Sequence, residues 1–282
     1  MNTVLVDSVD GHHAGYADVC AVPTPEQTRS YQPVHNKDLI DYVRVRVGEE
    51  LGSNIISESY ALSCKDQQMF GTMTVETENL EHNLTIGMRN SYNYSLSVGL
   101  CTGIDMIVCT NLIFSGSAMV VLRKHTKNVW RDIETHVDAA LRTSKGHYER
   151  MSLQLEAMKT VPLDLEDGYG LIGRALGHGV LKPQQATVAM KDWKSPRHEE
   201  FEGRDMFSMY NCFTEGLKKG PAGQTIDRHA AAHRFFSDYL NGSLYHHDGL
   251  FDDSVVQGVQ QVSRSTAADD APDGRFEGLE FN

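Results

Sequence analysis

A guanidinium, two carboxamides and two phenols fall within the seven residues Arg89-Asn90-Ser91-Tyr92-Asn93-Tyr94-Ser95. A phenol ring can stack on a planar base, a guanidinium can grip a phosphate, and amide and hydroxyl groups can bond to either. A second run, Arg123-Lys124-His125-Thr126-Lys127-Asn128-Val129-Trp130-Arg131, holds four Lys and Arg side chains and no acid. Where a strand gives way to a helix, cations stand at the positive end of the helix dipole, which is unfavourable until an anion neutralises them. Read together, Arg89, Asn90, Tyr92, Tyr94, Arg123, Lys124, His125, Lys127 and Arg131 are the candidate contacts to single-stranded nucleic acid. The plainer alternatives are a structured turn whose Asn and Ser satisfy backbone groups, and a solvated helix start.

Histidine offers a different chemistry. His229 and His233 stand four apart in a segment with helical spacing, which places both imidazoles on one face and could hold a transition metal. A metal-dependent enzyme would add His125, His198 and nearby carboxylates, but two ligands at this spacing are common by chance and no third is fixed by the pattern. The chain has no Gly-x-x-x-x-Gly-Lys-Ser/Thr loop, no Gly-x-Gly-x-x-Gly, no Gly-x-Ser-x-Gly elbow and no His-Glu-x-x-His. An ATPase or a serine hydrolase is therefore not expected, and no catalytic residue, metal ligand or cofactor is assigned.

The elements that must carry these residues follow from periodicity. Residues 1–36 are rich in turn formers and read as an irregular arm. Asn36 is placed to cap a helix whose Leu39, Ile40, Val43 and Val47 share a face, with Gly48 or Gly52 near its end. Between 55 and 124, short apolar runs separated by Gly, Asn and Ser predict strands over 55–63, 68–76, 83–89, 95–100, 104–109 and 118–124, with turns at Asn90–Asn93, Gly103 and Ser115–Ser117. From Thr126 the spacing turns helical through Met158, with Gly146 the expected bend and Pro162 the stop. Further helices are expected over 164–177, 183–193, 205–219 and 225–240. The fold class is α+β: an antiparallel sheet (about residues 55–124) packed by a long helix, then a helical C-terminal half. The expected divisions are an arm (1–36), an α+β core (37–160), a helical subdomain (161–250) and an irregular acidic tail (251–282).

Composition bounds the possibilities. Hydrophobic residues make up 40% and charged residues 23% of the 282, which excludes wholesale disorder. The apolar stretch Ile104–Leu122 is broken by Asp105, Asn111 and Ser115-Gly116-Ser117, so it reads as two strands and not as a membrane span. Met1–Asp10 has no basic leader, and a cytoplasmic location is expected. Cys20, Cys64, Cys101, Cys109 and Cys212 contain no Cys-x-x-Cys pair and read as buried reduced thiols. A net charge of −12 confines any contact with nucleic acid to a local basic groove. The tail sets Asp269, Asp270, Asp273, Glu277 and Glu280 around Phe276, Leu279 and Phe281. Acids with a terminal aromatic resemble the tails of single-strand binding proteins, which makes Phe276 and Phe281 candidate partner contacts.

Several segments carry a resemblance. Gly87-Met88-Arg89-Asn90-Ser91-Tyr92, Ser95-Leu96-Ser97-Val98-Gly99-Leu100, Val108-Cys109-Thr110-Asn111-Leu112-Ile113-Phe114-Ser115-Gly116, Arg123-Lys124-His125-Thr126, Trp193-Lys194-Ser195-Pro196-Arg197-His198 and Phe207-Ser208-Met209-Tyr210-Asn211-Cys212-Phe213-Thr214-Glu215 look like the phage/plasmid-like family of the domain of unknown function 932. The similarity spans about residues 80–240. This chain departs from the family's pattern with Thr110 in place of Asp, and with Asn93-Tyr94 where Asp or Gly is usual. The resemblance implies a mobile-element setting and transfers no activity. The expected function is a DNA-metabolism protein that binds or anneals single strands, as a homo-oligomer and without a membrane. A self-associating virion or assembly protein and a metal-dependent enzyme are the alternatives.

Overall fold

Alternation of apolar with small or polar residues from Ile55 onward builds a sheet whose two faces are both covered. A computed structural model describes residues 11–107 and 112–242. Its strands are β1 (Gly11–Ala14), β2 (Ile55–Ser63), β3 (Gln68–Val75), β4 (His82–Ser91), β5 (Val98–Met106) and β6 (Leu112–Arg123), paired antiparallel in chain order. Its helices are α1 (Tyr16–Ala21), α2 (Asn36–Leu51), α3 (Val129–Lys159), α4 (Leu165–Gly177), α5 (Pro183–Lys194), α6 (Met206–Leu217) and α7 (Thr225–Leu240). The architecture is α+β, as the periodicity predicts. No described helix is long and apolar enough to cross a membrane.

One face of the sheet presents Tyr60, Leu62, Met69, Met73, Leu84, Ile86, Met88, Val98 and Leu100 to Leu39, Ile40, Val43 and Val47 of α2 and to Val129, Ile133, Val137 and Leu141 of α3. Each such side chain, fully buried, contributes ~1.5–3 kcal/mol. On the other face Ala61, Phe70, Cys101, Leu112 and Phe114 meet Ile226 of α7. The Phe114 ring lies flat enough over the sheet that a Cβ at Gly87 would stand 2.8 Å from it, so this position needs glycine for close approach. Beyond α3, Asp164 caps α4 by accepting from the Asp167 amide, and Pro183 opens α5. α4 packs on α5, α5 on α6, and α6 returns to α3.

Four expectations change. Residues 11–36 are not an arm outside the core: β1 pairs with β2, and Val19 and Val34 are fully buried beside α2. Asn36 opens α2 after an N-cap at His35, and its carboxamide is turned inward instead of capping. Gly146 does not interrupt α3, which runs as one helix of 31 residues with buried Leu141, Ser144, Met151 and Leu155 on either side of it. A mid-helix glycine costs only ~1 kcal/mol. Gly103 and Ser115-Gly116-Ser117 are not turns either. Gly103 lies inside β5, under Phe114, and the register moves from Cys101↔Met119 to Gly103↔Phe114, so the small residues form a bulge in β6.

The chain divides into a unit of residues Met1–Phe236 and a unit of Ser237–Asn282. The second contributes the end of α7 and a turn in which the Gly242 amide donates to the Tyr239 carbonyl. The cysteines form no disulfide among the described residues; Cys101 and Cys212 are buried, Cys20 and Cys64 half-buried, and Cys109 lies outside the described residues.

Candidate nucleic-acid interface

The segment expected as an exposed loop at 89–95 is divided by the structure. β4 runs to Ser91, so Arg89 and Asn90 are strand residues that face opposite sides of the sheet. Arg89, 5% exposed, donates from Nη1 to Asp227 Oδ2 at 2.5 Å and to the Gly223 carbonyl at 3.3 Å. Asn90, fully buried, donates to the Val34 carbonyl at 2.7 Å and to Asn36 Oδ1 at 2.8 Å. The buried Tyr92 hydroxyl accepts the Asn36 amide at 2.9 Å. These three side chains tie β4 to α2 and to the start of α7, and they leave the exposed set.

Tyr94 remains outside. It is 62% exposed and adopts φ 62°, a left-handed conformation rare for a bulky residue. The local cause is Asn93, whose Oδ1 accepts from the Ser95 amide at 3.2 Å, an Asx turn with Tyr94 at its apex. Ser95 is anchored in turn by Gln68 Nε2 of β3 at 2.8 Å. The Tyr94 ring packs on Tyr31 with centroids 4.3 Å apart, and Tyr31 packs on His125 at 5.1 Å. Tyr31 is a site residue that sequence reasoning missed, because it stands in the segment read as an arm. It is wedged by the Gln32 amide donating to the His125 carbonyl at 2.9 Å and by its own hydroxyl donating to the Ser91 carbonyl at 3.4 Å. Burial, and secondarily the neighbouring phenols Tyr94 and Tyr92, push its hydroxyl up to about 12, so the ring is neutral.

The stack ends in the basic turn. Lys124, Lys127 and Arg131 are exposed, and none forms an ion pair among the described residues. Arg123 closes β6 with its backbone opposite Val98, the first residue after the Tyr94 loop. His125 is different. It is 7% exposed, neither ring nitrogen bonds to a described residue, and burial lowers its pKa, so it is neutral at pH 7 and serves as the floor of the stack instead of a cation. Of the nine candidates, the structure joins exposed Tyr94 to His125 through Tyr31, and Lys124 is the chain neighbour of that floor; no described contact links Lys127 or Arg131 to the stack.

The remaining histidines go to separate neighbours. His229 lies against Phe114 with centroids 5.8 Å apart, and burial holds it down to about 3. His233 is lowered to about 4 by burial, bonds through Nδ1 with the Tyr210 hydroxyl at 3.1 Å and through Nε2 with Gln154 Oε1 at 2.8 Å. His198 packs on Phe201. Among the described residues no three His, Cys, Asp or Glu side chains gather where they could hold a metal ion. Phe276 and Phe281 lie outside the described residues. No family model, no curated protein and no solved structure matches the chain.

Proposed function

We propose that this chain binds single-stranded nucleic acid in DNA metabolism of a mobile element, with bases stacking on Tyr94 and phosphates meeting Lys124, Lys127 and Arg131. The observation that carries this reading is an aromatic held out in a left-handed turn and stacked through Tyr31 on His125, in a run whose Lys124, Lys127 and Arg131 are exposed and form no ion pair among the described residues. A duplex keeps its base faces stacked inside, so an exposed ring selects unpaired strands, and stacking is tolerant of sequence. The mobile-element setting rests on the residues that resemble the phage/plasmid-like family.

Fluorescence anisotropy with labelled oligo(dT) and a matching duplex, at two salt concentrations, tests it. Tyr94→Ala should weaken single-strand binding by about 1–3 kcal/mol, the range of one base stacked on an aromatic. Lys124→Ala/Lys127→Ala/Arg131→Ala should lower the slope of log K against log salt by about 2, from ~0.7 per phosphate contact. No binding at low salt, or an unchanged slope in the triple variant, overturns the proposal.

The acidic tail bears on the same site by charge alone. Residues 264–282 hold five acids and two basic residues, so the segment can compete with phosphate for the basic turn. Deleting 265–282 should raise oligo(dT) affinity at low salt and leave thermal stability unchanged; equal affinity of the two proteins removes the competition.

A further inference from the structure

The edge of the sheet opposite β6 is only half covered. β1 pairs with Tyr60–Ser63 of β2, which leaves the outer edge of Ile55–Ser59 without a backbone partner among the described residues. Two open clefts follow this uncovered stretch. One, of about 500 Å³, is lined by His13–Tyr16 and Glu58–Tyr60; the other, of about 510 Å³, by Arg44, Gly48 and Ser53–Glu58. Glu58 lines both, so the two clefts and the strand edge they follow form a trough in which that side chain stands between the openings. A register shift lies between Ile55 and Ser57, and Ile56, which lines the second cleft, is 50% exposed. A Cβ placed on Gly48 would meet nothing within 4 Å, so the floor is open.

The charges of the trough cancel one another. Arg44 donates from Nε and Nη2 to both oxygens of Glu58, at 2.7 and 2.8 Å, and the Tyr60 hydroxyl donates to the same carboxylate at 2.6 Å. An unpaired strand edge beside apolar side chains and a satisfied ion pair fits an extended, weakly charged peptide that adds as a strand.

We infer that the occupant is residues Thr3–Val9 of a second copy of this chain. That segment, Thr3-Val4-Leu5-Val6-Asp7-Ser8-Val9, is β-branched and apolar with a single charge. It precedes β1 on this same margin of the sheet, but the chain enters β1 at Gly11, opposite Ser63, and runs toward Tyr60. Gly11 is therefore the end of β1 away from Ile55–Ser59, and the strand direction at that end points away from the trough of its own copy. Between two copies the exchange is reciprocal, and each segment completes the edge of the other, which gives a closed twofold dimer.

Light scattering on the full chain, on a chain lacking residues 2–9 and on an Ile56→Asp variant tests this, together with anisotropy of a labelled peptide of residues 2–10. The full chain should be a dimer; the deleted chain should be a monomer of unchanged circular dichroism that binds the peptide. Ile56→Asp should weaken peptide binding by about tenfold or more, because a charge replaces an apolar contact. A monomeric full chain, an oligomer that survives the deletion, or a deleted chain that ignores the peptide each overturns the inference. A monomeric full chain whose deleted form binds the peptide assigns the trough to the same copy's segment, which also overturns exchange.

Discussion

Replacing Val137 with Asp should destabilise the fold by about 3–5 kcal/mol, the cost of an uncompensated charge in an interior. Val137 is 1% exposed on α3, within the cluster formed by α2, α3 and one face of the sheet. The introduced carboxylate would either lose its hydration there or take up a proton, and both routes favour the unfolded chain. A chain of this length loses roughly 2–4 °C of Tm per kcal/mol, so a thermal melt followed by circular dichroism should shift by about 10 °C or more. Ala139→Asp, two residues along on the exposed side of the same helix, supplies the control and should stay within about 0.5 kcal/mol. If Val137→Asp melts with the parent, α3 does not cover the sheet through this residue.

The elements were legible where one local rule decided the outcome. β2 occupies 55–63 as periodicity predicts, and α4 and α5 begin where Asp164 and Pro183 set them, because a cap and a fixed φ act on neighbouring residues. Glycine and serine misled where a distant ring used them: Gly103 reads as a turn, yet it is the flat ground that Phe114 needs. The site was less legible for the same reason. Asn90 and Asn93 look alike in sequence, and both suit a turn. Asn93 does build one, around Tyr94, but Asn90 is consumed by Val34 and Asn36, partners more than fifty residues away. Tyr31 gave no signal at all, since its value lies in two contacts, with Tyr94 and His125, that only the fold brings together.

Asp227→Ala should cost about 3 kcal/mol of stability, the low end for stranding a buried charge because the acid itself is half-exposed. Arg89 reaches from β4 to Asp227, and its side chain is 6% exposed while that of Asp227 is 47% exposed. Removing the acid leaves a nearly buried guanidinium whose remaining hydrogen bond among the described residues is to the Gly223 carbonyl, at 3.3 Å. Removing both charges is a different matter, because Arg89→Met keeps much of the volume and needs no counter-ion. The double variant Arg89→Met/Asp227→Ala should therefore recover part of what Asp227→Ala loses, and urea unfolding of the three proteins measures it. If the double variant is no better than Asp227→Ala alone, packing and not the stranded charge sets the cost. The same set separates scaffold from interface: Arg89→Met should bind oligo(dT) like the parent once folded protein is counted, whereas Tyr94→Ala should melt like the parent and bind less. An Arg89→Met protein that is stable yet loses its salt-dependent binding would return Arg89 to the nucleic-acid surface.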